Sequence, residues 1–447
     1  MMCRPSMWNW LNFEQISFLH GPFMMDRKIK SIIYRIKRRV KRVLFIWACR
    51  GPMSFMGKFI LKKYSWQPIQ IYSVANIEKK SVILAKTASS TVAAPGFNGK
   101  GSVIRSKTFP SVKAYFLQRE SIVTPYSPAV LCANELYLPS HVFDDPKRVK
   151  TDGDSLFDIE DKFCVGRVNV TKEIEEGILI GGAGAFNWYH FVIEILPKAF
   201  LAQNLPSQFD GLPLLVPDEC RRIPSFATAL AFFSGNRQLE FIKKGEVTKV
   251  KRLVILDEIS VGPFNLRHGA WPCLDDYAHH DVVMRLFIAV FRKKVLGIEA
   301  CCDASTGSGR RIFLTRPGVR RKFNQNELLE IAKRYDFEAF SPEEFTLSEQ
   351  AIVFSQCSAV IGPSGAAWVG IVFRERPLRD LTWLPPEYKQ FCGYSALAGL
   401  LGHQLDFIEA KTPRWLRSTG EAYVSDYQIC PVQFESALKR MELRQTF

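Results

Sequence analysis

The run Ala359-Val360-Ile361-Gly362-Pro363-Ser364-Gly365-Ala366-Ala367 decides the fold. Ala359–Gly362 reads as a short buried strand and the Gly/Pro step as a tight turn. Ala366–Phe373 reads as a helix that opens on small residues. A buried strand passing straight into a helix is the repeating unit of a parallel α/β sheet.

Its neighbours repeat the unit. Strand Arg311–Thr315 precedes helix Asn326–Tyr335, and strand Phe337–Phe340 precedes helix Glu343–Ser355. Strand Leu378–Trp383, a helix from Pro386 to Leu401 and strand Gln404–Ile408 complete the block. An earlier block has the same rhythm. It holds strand Gly177–Gly182, helix Asn187–Asn204 with a kink at Pro197, strands Leu212–Pro217 and Leu253–Leu256, and helices Arg222–Gly235 and Asp275–Leu296. Residues 66–177 are different: short β-branched or aromatic runs broken by Gly, Pro and Ser clusters. The expected fold class is therefore α/β, with two Rossmann-like doubly wound lobes facing a cleft. The lobes span 66–300, including the β-rich segment 66–177, and 301–447, after a basic N-terminal segment, 1–65.

Charge is concentrated in that segment. The formal net charge is +16, and Arg27 to Lys63 carry +13 of it with no Asp or Glu. Ile29, Ile32, Ile33, Ile36, Val40, Val43, Leu44 and Trp47 recur at helical spacing among the basic residues. This pattern predicts an amphipathic helix lying on an anionic membrane surface. The alternative is a basic helix packed on the protein's own core. Nucleic acid is not expected as a partner, because the aromatics gather at the apolar end and do not interleave as stacking platforms. No apolar run reaches the length of a membrane span. The eleven Cys contain no C-x-x-C and the seven His no H-x-x-x-H, so no metal site is expected. The unpatterned cysteines fit a reducing compartment, and the expected location is cytoplasmic, peripheral at the inner face of the membrane.

Three features carry candidate chemistry. The turn Gly362-Pro363-Ser364-Gly365-Ala366 exposes backbone N–H groups at a helix start, a seat for phosphate, with the Ser364 hydroxyl as a further donor. An ordinary strand–helix turn is the competing reading. Phe313-Leu314-Thr315-Arg316, followed by Arg320 and Arg321, puts forked guanidiniums just beyond a parallel strand, where phosphate oxygens bind; loose surface arginines are the alternative. Asn187, His190 and Glu194 share one face of a helix whose other face is apolar. That face suits sugar hydroxyls, with His190 first and Glu194 second as a base. A structurally satisfied histidine reads almost as well. Asp152-Gly153-Asp154 has the D-x-D spacing of a divalent-ion site, but its acidic, turn-rich setting reads as a solvated loop.

These motifs occur in an order that resembles glycosyltransferase family 61, in particular bacterial members associated with surface-polysaccharide synthesis. The resemblance covers about Gly181 to Phe407. It rests on Asn187 to Pro197, on Phe313-Leu-Thr-Arg with Asn326-Glu327, on Phe337-Glu…Pro342-Glu…Ser348-Glu349-Gln350, and on Ile361-Gly-Pro-Ser-Gly-Ala. It implies a GT-B-type fold, a nucleotide-sugar donor in the C-terminal lobe and a glycan or lipid-linked acceptor. It also implies inversion at the anomeric carbon, with no cofactor and no obligatory metal. Carried over, Arg316, Arg320 and the turn Gly362, Ser364, Gly365 and Ala366 hold the diphosphate. Glu349 sits near the nucleoside, and Asn187, His190 and Glu194 face the acceptor. One departure is that many members have His where this chain has Ser364, which leaves more of the leaving-group charge to the arginines. A non-catalytic, membrane-associated nucleotide-sugar-binding module is the alternative from a different class, and a metal-dependent transferase using Asp152 and Asp154 is a third.

Overall fold

The computed structural model describes residues 66–73, 81–133, 135–139, 156–160, 163–167, 169–262, 266, 270–297, 309–316, 318, 321–412, 416, 419–422 and 425–443. The expected N-terminal helix, Asp152, Asp154 and Arg320 lie outside these residues. Both large sheets belong to the unit Ser65–Phe447.

The first sheet has a parallel core of four strands: β1 (Lys172–Leu179), β2 (Leu214–Pro217), β3 (Leu239–Ile242) and β4 (Thr248–Leu256). Their order is β4-β1-β2-β3. The chain therefore winds one way through β1, β2 and β3 and returns to the other side of β1. The segment predicted as merely β-rich is continuous with this core, since strands Val112–Leu117 and Ser121–Val123 pair antiparallel with β4. This corrects the expectation of a doubly wound first lobe. Ile178, Leu214, Val254 and Leu256 face helices. Leu179, Leu215, Leu253 and Ile255 instead join a cluster made only of strand residues such as Tyr115, Val123 and Tyr137. The sheet covers its second face with its own strands, so that face has no need of helices.

The second sheet follows the doubly wound pattern. Strands β5 (Arg310–Leu314), β6 (Phe337–Phe340), β7 (Cys357–Pro363), β8 (Arg379–Leu384) and β9 (Gln404–Lys411) are all parallel, in the order β6-β5-β7-β8-β9. Side chains alternate between faces as the pleat requires. Ile312, Leu314 and Val360 enter the same core as the first sheet's helices. Phe313, Ala359 and Ile361 enter a separate core. The sheets thus share one interior. Phe200, Phe233, Phe287, Phe291 and Phe373 form a continuous set of ring contacts through it.

The helices are set by local chemistry. Pro224 opens α1 (Pro224–Ser234), where its missing N–H costs nothing. His280 caps α2 (Asp281–Leu296), its ring accepting from the Val283 amide. The helix therefore starts six residues later than expected, after a short 3₁₀ turn and strand. α3 (Gln325–Lys333) lies on the outer face of the second sheet, together with the last helix, Pro431–Leu443. In α4 (Leu347–Gln356), Thr346 and Glu349 close a reciprocal capping box. The expected helix Pro386–Leu401 resolves into a 3₁₀ turn, Pro386–Tyr388, and α5 (Gly393–Leu401). Ala366–Phe373 winds as 3₁₀, not α. It packs so tightly against α4 that a Cβ on Gly370 would lie 2.1 Å from the Phe354 ring, and 3₁₀ winding is the tighter of the two.

Burial also sets a pH response. His279 and His403 are pushed down to about 4, chiefly by burial, against about 6.5 in an unfolded chain. For His279 burial outweighs the Asp281 carboxylate, 3.3 Å away. The unfolded chain therefore binds more protons between about pH 6.5 and pH 4, and stability falls as pH falls through that window. Asp257, pushed up to about 6 by burial, acts in the opposite sense, but it is one group against two. Calorimetric scans are expected to show Tm falling from about pH 7 to about pH 4.5. A flat or rising Tm would rule out this linkage.

Candidate functional site

In an open α/β sheet the ligand crevice lies beyond the carboxyl ends of the strands, where the winding reverses. In the second sheet that point is between β5 and β7. Arg316 follows β5, and Ser364-Gly365 follows β7, so the crevice brings together two of the features read separately from the sequence.

The close approach is built in. A Cβ on Gly362 (φ 158°) would lie 2.5 Å from Leu314 Cβ, so only glycine lets β7 pack this tightly against β5. That is where Gly362 acts. Its missing side chain faces the neighbouring strand. A Cβ on Gly365 would stand 3.0 Å from Arg316 Nη2, and glycine there leaves room for the guanidinium. Arg316 Nη2 donates to the Ser364 carbonyl at 2.5 Å. Arg321 Nη1 donates to the same oxygen at 3.3 Å, and its Nη2 to the Ser364 hydroxyl at 3.0 Å. Gln325 fixes the strand end, accepting from the Arg316 amide at 2.7 Å.

Two guanidiniums therefore converge on one buried serine. Burial, and after it the positive charge of Arg321, lowers the Arg316 pKa from its ordinary value. Arg316 Nη1 and Arg321 Nε are buried and have no hydrogen-bond partner among the described residues. Arg321 is further held at φ 54°, a left-handed conformation unusual for a non-glycine residue. Its guanidinium lies 5.7 Å from the centroid of the Tyr427 ring. Beside the pair is an open cavity of about 450 Å³, lined by Arg316, Gly318, Arg321, Phe323, Gln325 and Asn326 among others. Like charges held together with unused donors make an anion site.

The second group lies on the helical stretch after β1. Asn187 caps it, its Oδ1 accepting from the Tyr189 amide at 3.0 Å. That role accounts for Asn187 without an acceptor contact. Trp188–His190 is α-helical, Phe191–Ile195 is a π-helical turn, and Leu196–Ala202 returns to α. Pro197 falls in the first turn of this last piece, where a proline is tolerated. The π turn, a device frequent at functional sites, brings His190 Nδ1 to 2.9 Å from Glu194 Oε2. Glu194 is buried and His190 largely so. A carboxylate on one ring nitrogen fixes the tautomer and leaves the other nitrogen the basic one.

Side chains link the two groups. The Tyr189 hydroxyl donates to the Gly393 carbonyl at 2.5 Å, and its ring meets both His190 and Tyr394 edge-on. Tyr394 touches Trp368, whose Nε1 donates to the Pro363 carbonyl. The path runs from His190 to the residue before Ser364. Sequence reading passed over Tyr189, Trp368 and Tyr394, although Tyr189 stands inside the Asn-Trp-Tyr-His-Phe motif.

Glu349 has a structural task. Its carboxylate accepts from the Thr346 amide and hydroxyl, both at 2.8 Å, and those bonds lower its pKa. The capping box explains this glutamate without a nucleoside. Among the described residues, no cluster of three or more His, Cys, Asp or Glu could hold a metal ion. Nor is any helix there long and apolar enough to cross a membrane.

Comparison with known families fits this geometry. The family model described as Glycosyltransferase 61 matches residues 188–381. The match takes in the π turn with His190 and Glu194, both arginines and the whole β5–β7 crevice. It supports that family and glycosyltransferase activity in general. No curated protein matches the chain.

Proposed function

We propose that this protein is an inverting glycosyltransferase whose second sheet serves as a Rossmann-like, GT-B-type donor lobe. It transfers a sugar from a nucleotide-sugar donor to a glycan or lipid-linked acceptor in surface-polysaccharide synthesis. The observation that carries this reading is the Arg316–Arg321 pair, half-buried at the sheet's switch point with enclosed guanidinium nitrogens that have no partner among the described residues.

In this mechanism His190 takes the proton from an acceptor hydroxyl while Glu194 holds its Nδ1–H. The acceptor oxygen attacks the anomeric carbon from the face opposite the nucleotide. The bond from that carbon to the diphosphate oxygen breaks, and the electron pair leaves with the nucleoside diphosphate. Arg316 and Arg321 stabilise the charge that develops there, with the N–H groups opening the Ala366–Phe373 segment. Two fixed cations can do this work without an obligatory metal. Ser364 sits in the pair's grip: its oxygen accepts from Arg321, so its own proton is available to a phosphate oxygen.

His190→Ala is expected to lower turnover by about 10²–10⁴-fold while nucleoside diphosphate binding stays intact. Steady-state kinetics and calorimetry on the same preparation check both. Near-normal turnover would remove His190 from the base role.

The basic stretch Arg27–Lys63 supports a peripheral place at the cytoplasmic face of the membrane, because each basic residue near an anionic surface contributes about 1 kcal/mol. Removing residues 1–64 is expected to leave an active enzyme that no longer sediments with anionic liposomes. Unchanged sedimentation would end the membrane assignment.

A further inference from the structure

The carboxyl ends of the first sheet's strands also bring several loops together. Three adjacent parallel strands, β1, β2 and β3, finish side by side, and each runs into residues of a distinct chemistry. After β1 comes the loop that delivers Phe186, four residues before His190. After β2 comes Asp218-Glu219 with Arg221 and Arg222. After β3 come Lys243 and Lys244.

The loop after β1 is held firmly. Gly182 donates to the Pro125 carbonyl at 3.0 Å, and a Cβ on Gly181 would lie 2.4 Å from Pro125 Cα. Lys198, itself buried, donates to the Gly181 carbonyl at 2.7 Å. Yet this fixed loop ends on Phe186, a phenylalanine 47% exposed. Lys244 Nζ stands 5.3 Å from the centroid of its ring. An exposed aromatic ring just before the helix that carries the base is suited to stacking on the C–H face of a sugar ring.

Charge on this edge is uneven. Arg221 and Arg222 are neutralised by the buried Asp218 and Glu219. Lys243 and Lys244 make no ion pair among the described residues, although they stand together beyond β3. The aromatic face is thus flanked by the Lys244 ammonium, while the nearby Glu246 carboxylate accepts from the Lys243 amide at 2.8 Å.

We propose that Phe186 and Lys244 form the acceptor platform, and that the acceptor is an anionic carbohydrate. One sugar stacks on Phe186, and its carboxylate or phosphate is met by Lys244, with Lys243 behind it. This rests on the transferase reading above and names the substrate class for its acceptor side. A carboxylate would belong to an acidic sugar within a glycan, and a phosphate to the linkage that joins a sugar to a lipid carrier. Either supplies the same anionic group.

The test is calorimetric titration of the full-length protein with three probes of equal size. These are the methyl glycoside of a glucose-terminated disaccharide, its glucuronate-terminated counterpart, and a disaccharide 1-phosphate. The two charged probes are expected to bind about tenfold tighter than the neutral one, a difference of about 1.4 kcal/mol. Preference between them identifies the source of the charge. Lys244→Ala is expected to bring all three to the neutral level, Lys244→Arg to keep the preference, and Phe186→Ala to weaken all three. Equal affinities in the parent protein, no binding of any probe, or a charge preference that survives Lys244→Ala would overturn the proposal. Nucleoside diphosphate binding, measured on the same samples, is expected to be unchanged in the Lys244 and Phe186 variants. Its absence from the parent protein would mark failure of the donor reading instead.

Discussion

Replacing Arg316 with alanine is expected to cut transfer by about 10²–10³-fold, the usual cost of losing one preorganised donor to developing negative charge. The same change is expected to weaken nucleoside diphosphate binding. The effect is large because Arg316 is tied into the site at both ends. Its amide is held by Gln325 and its guanidinium by Ser364, so it meets the ligand without reorganising. Arg316→Lys is expected to recover little, since one ammonium nitrogen lacks the planar fork whose separate nitrogens reach Ser364 and a phosphate oxygen at once. Arg321→Ala belongs in the same series. Its guanidinium shares the Ser364 carbonyl and binds the hydroxyl as well, and a loss comparable to that of Arg316 is expected. Turnover and nucleotide affinity measured together check all three; an Arg316→Ala enzyme with parental turnover would remove the arginine pair from the mechanism.

The largest stability effect is expected at the opposite, amino-terminal end of the same sheet's strands. Arg374 follows the Ala366–Phe373 segment, and its Nη1 lies 2.6 and 2.7 Å from the two oxygens of Asp380 in β8. Both side chains are fully enclosed, with 1% and 0% of their surface exposed. Asp380 also accepts from the Val360 amide of β7 at 2.9 Å, so one carboxylate joins two strands and the segment between them. Asp380→Ala strands a buried guanidinium whose Nε and Nη2 already lack partners among the described residues. The expected loss is about 3–5 kcal/mol, read as a fall in the urea midpoint. Adding Arg374→Met to Asp380→Ala is expected to restore a good part of it, because the isolated charge is then gone. A single variant as stable as the parent would show that the pair carries little of the packing between β7 and β8.

Parallel strands and their helices were legible because each carries its own signal. Short apolar strands running straight into helical patterns are local facts. The second sheet's strands accordingly fall within two or three residues of expectation. The first sheet was legible only in part. Nothing in Val112–Leu117 says that it will lie antiparallel beside Leu253–Leu256, more than a hundred residues later, because that pairing is a tertiary choice. The same distinction divides the site. Arg316, Ser364 and Gly365 were visible from their place at strand ends, and His190 and Glu194 from their spacing. Arg321 was read beside Arg316, but its convergence on Ser364 depends on a backbone turn at positive φ, and Tyr394 takes its place from a contact with a helix two hundred residues away. Glu349, Asn187 and Gly362 also carry structural tasks, two caps and a close-packed glycine, which a motif read from sequence does not separate from ligand contacts.

The central claim is that the β5–β7 crevice binds the leaving nucleotide through its paired arginines. Calorimetric titration of a panel of nucleoside diphosphates against the parent protein, Arg316→Ala and Arg321→Ala tests it most directly. One member of the panel is expected to bind the parent protein and to lose at least about tenfold in affinity, about 1.4 kcal/mol, in each variant. Binding that is undiminished in both variants, or a parent protein that binds none of the panel, would contradict it.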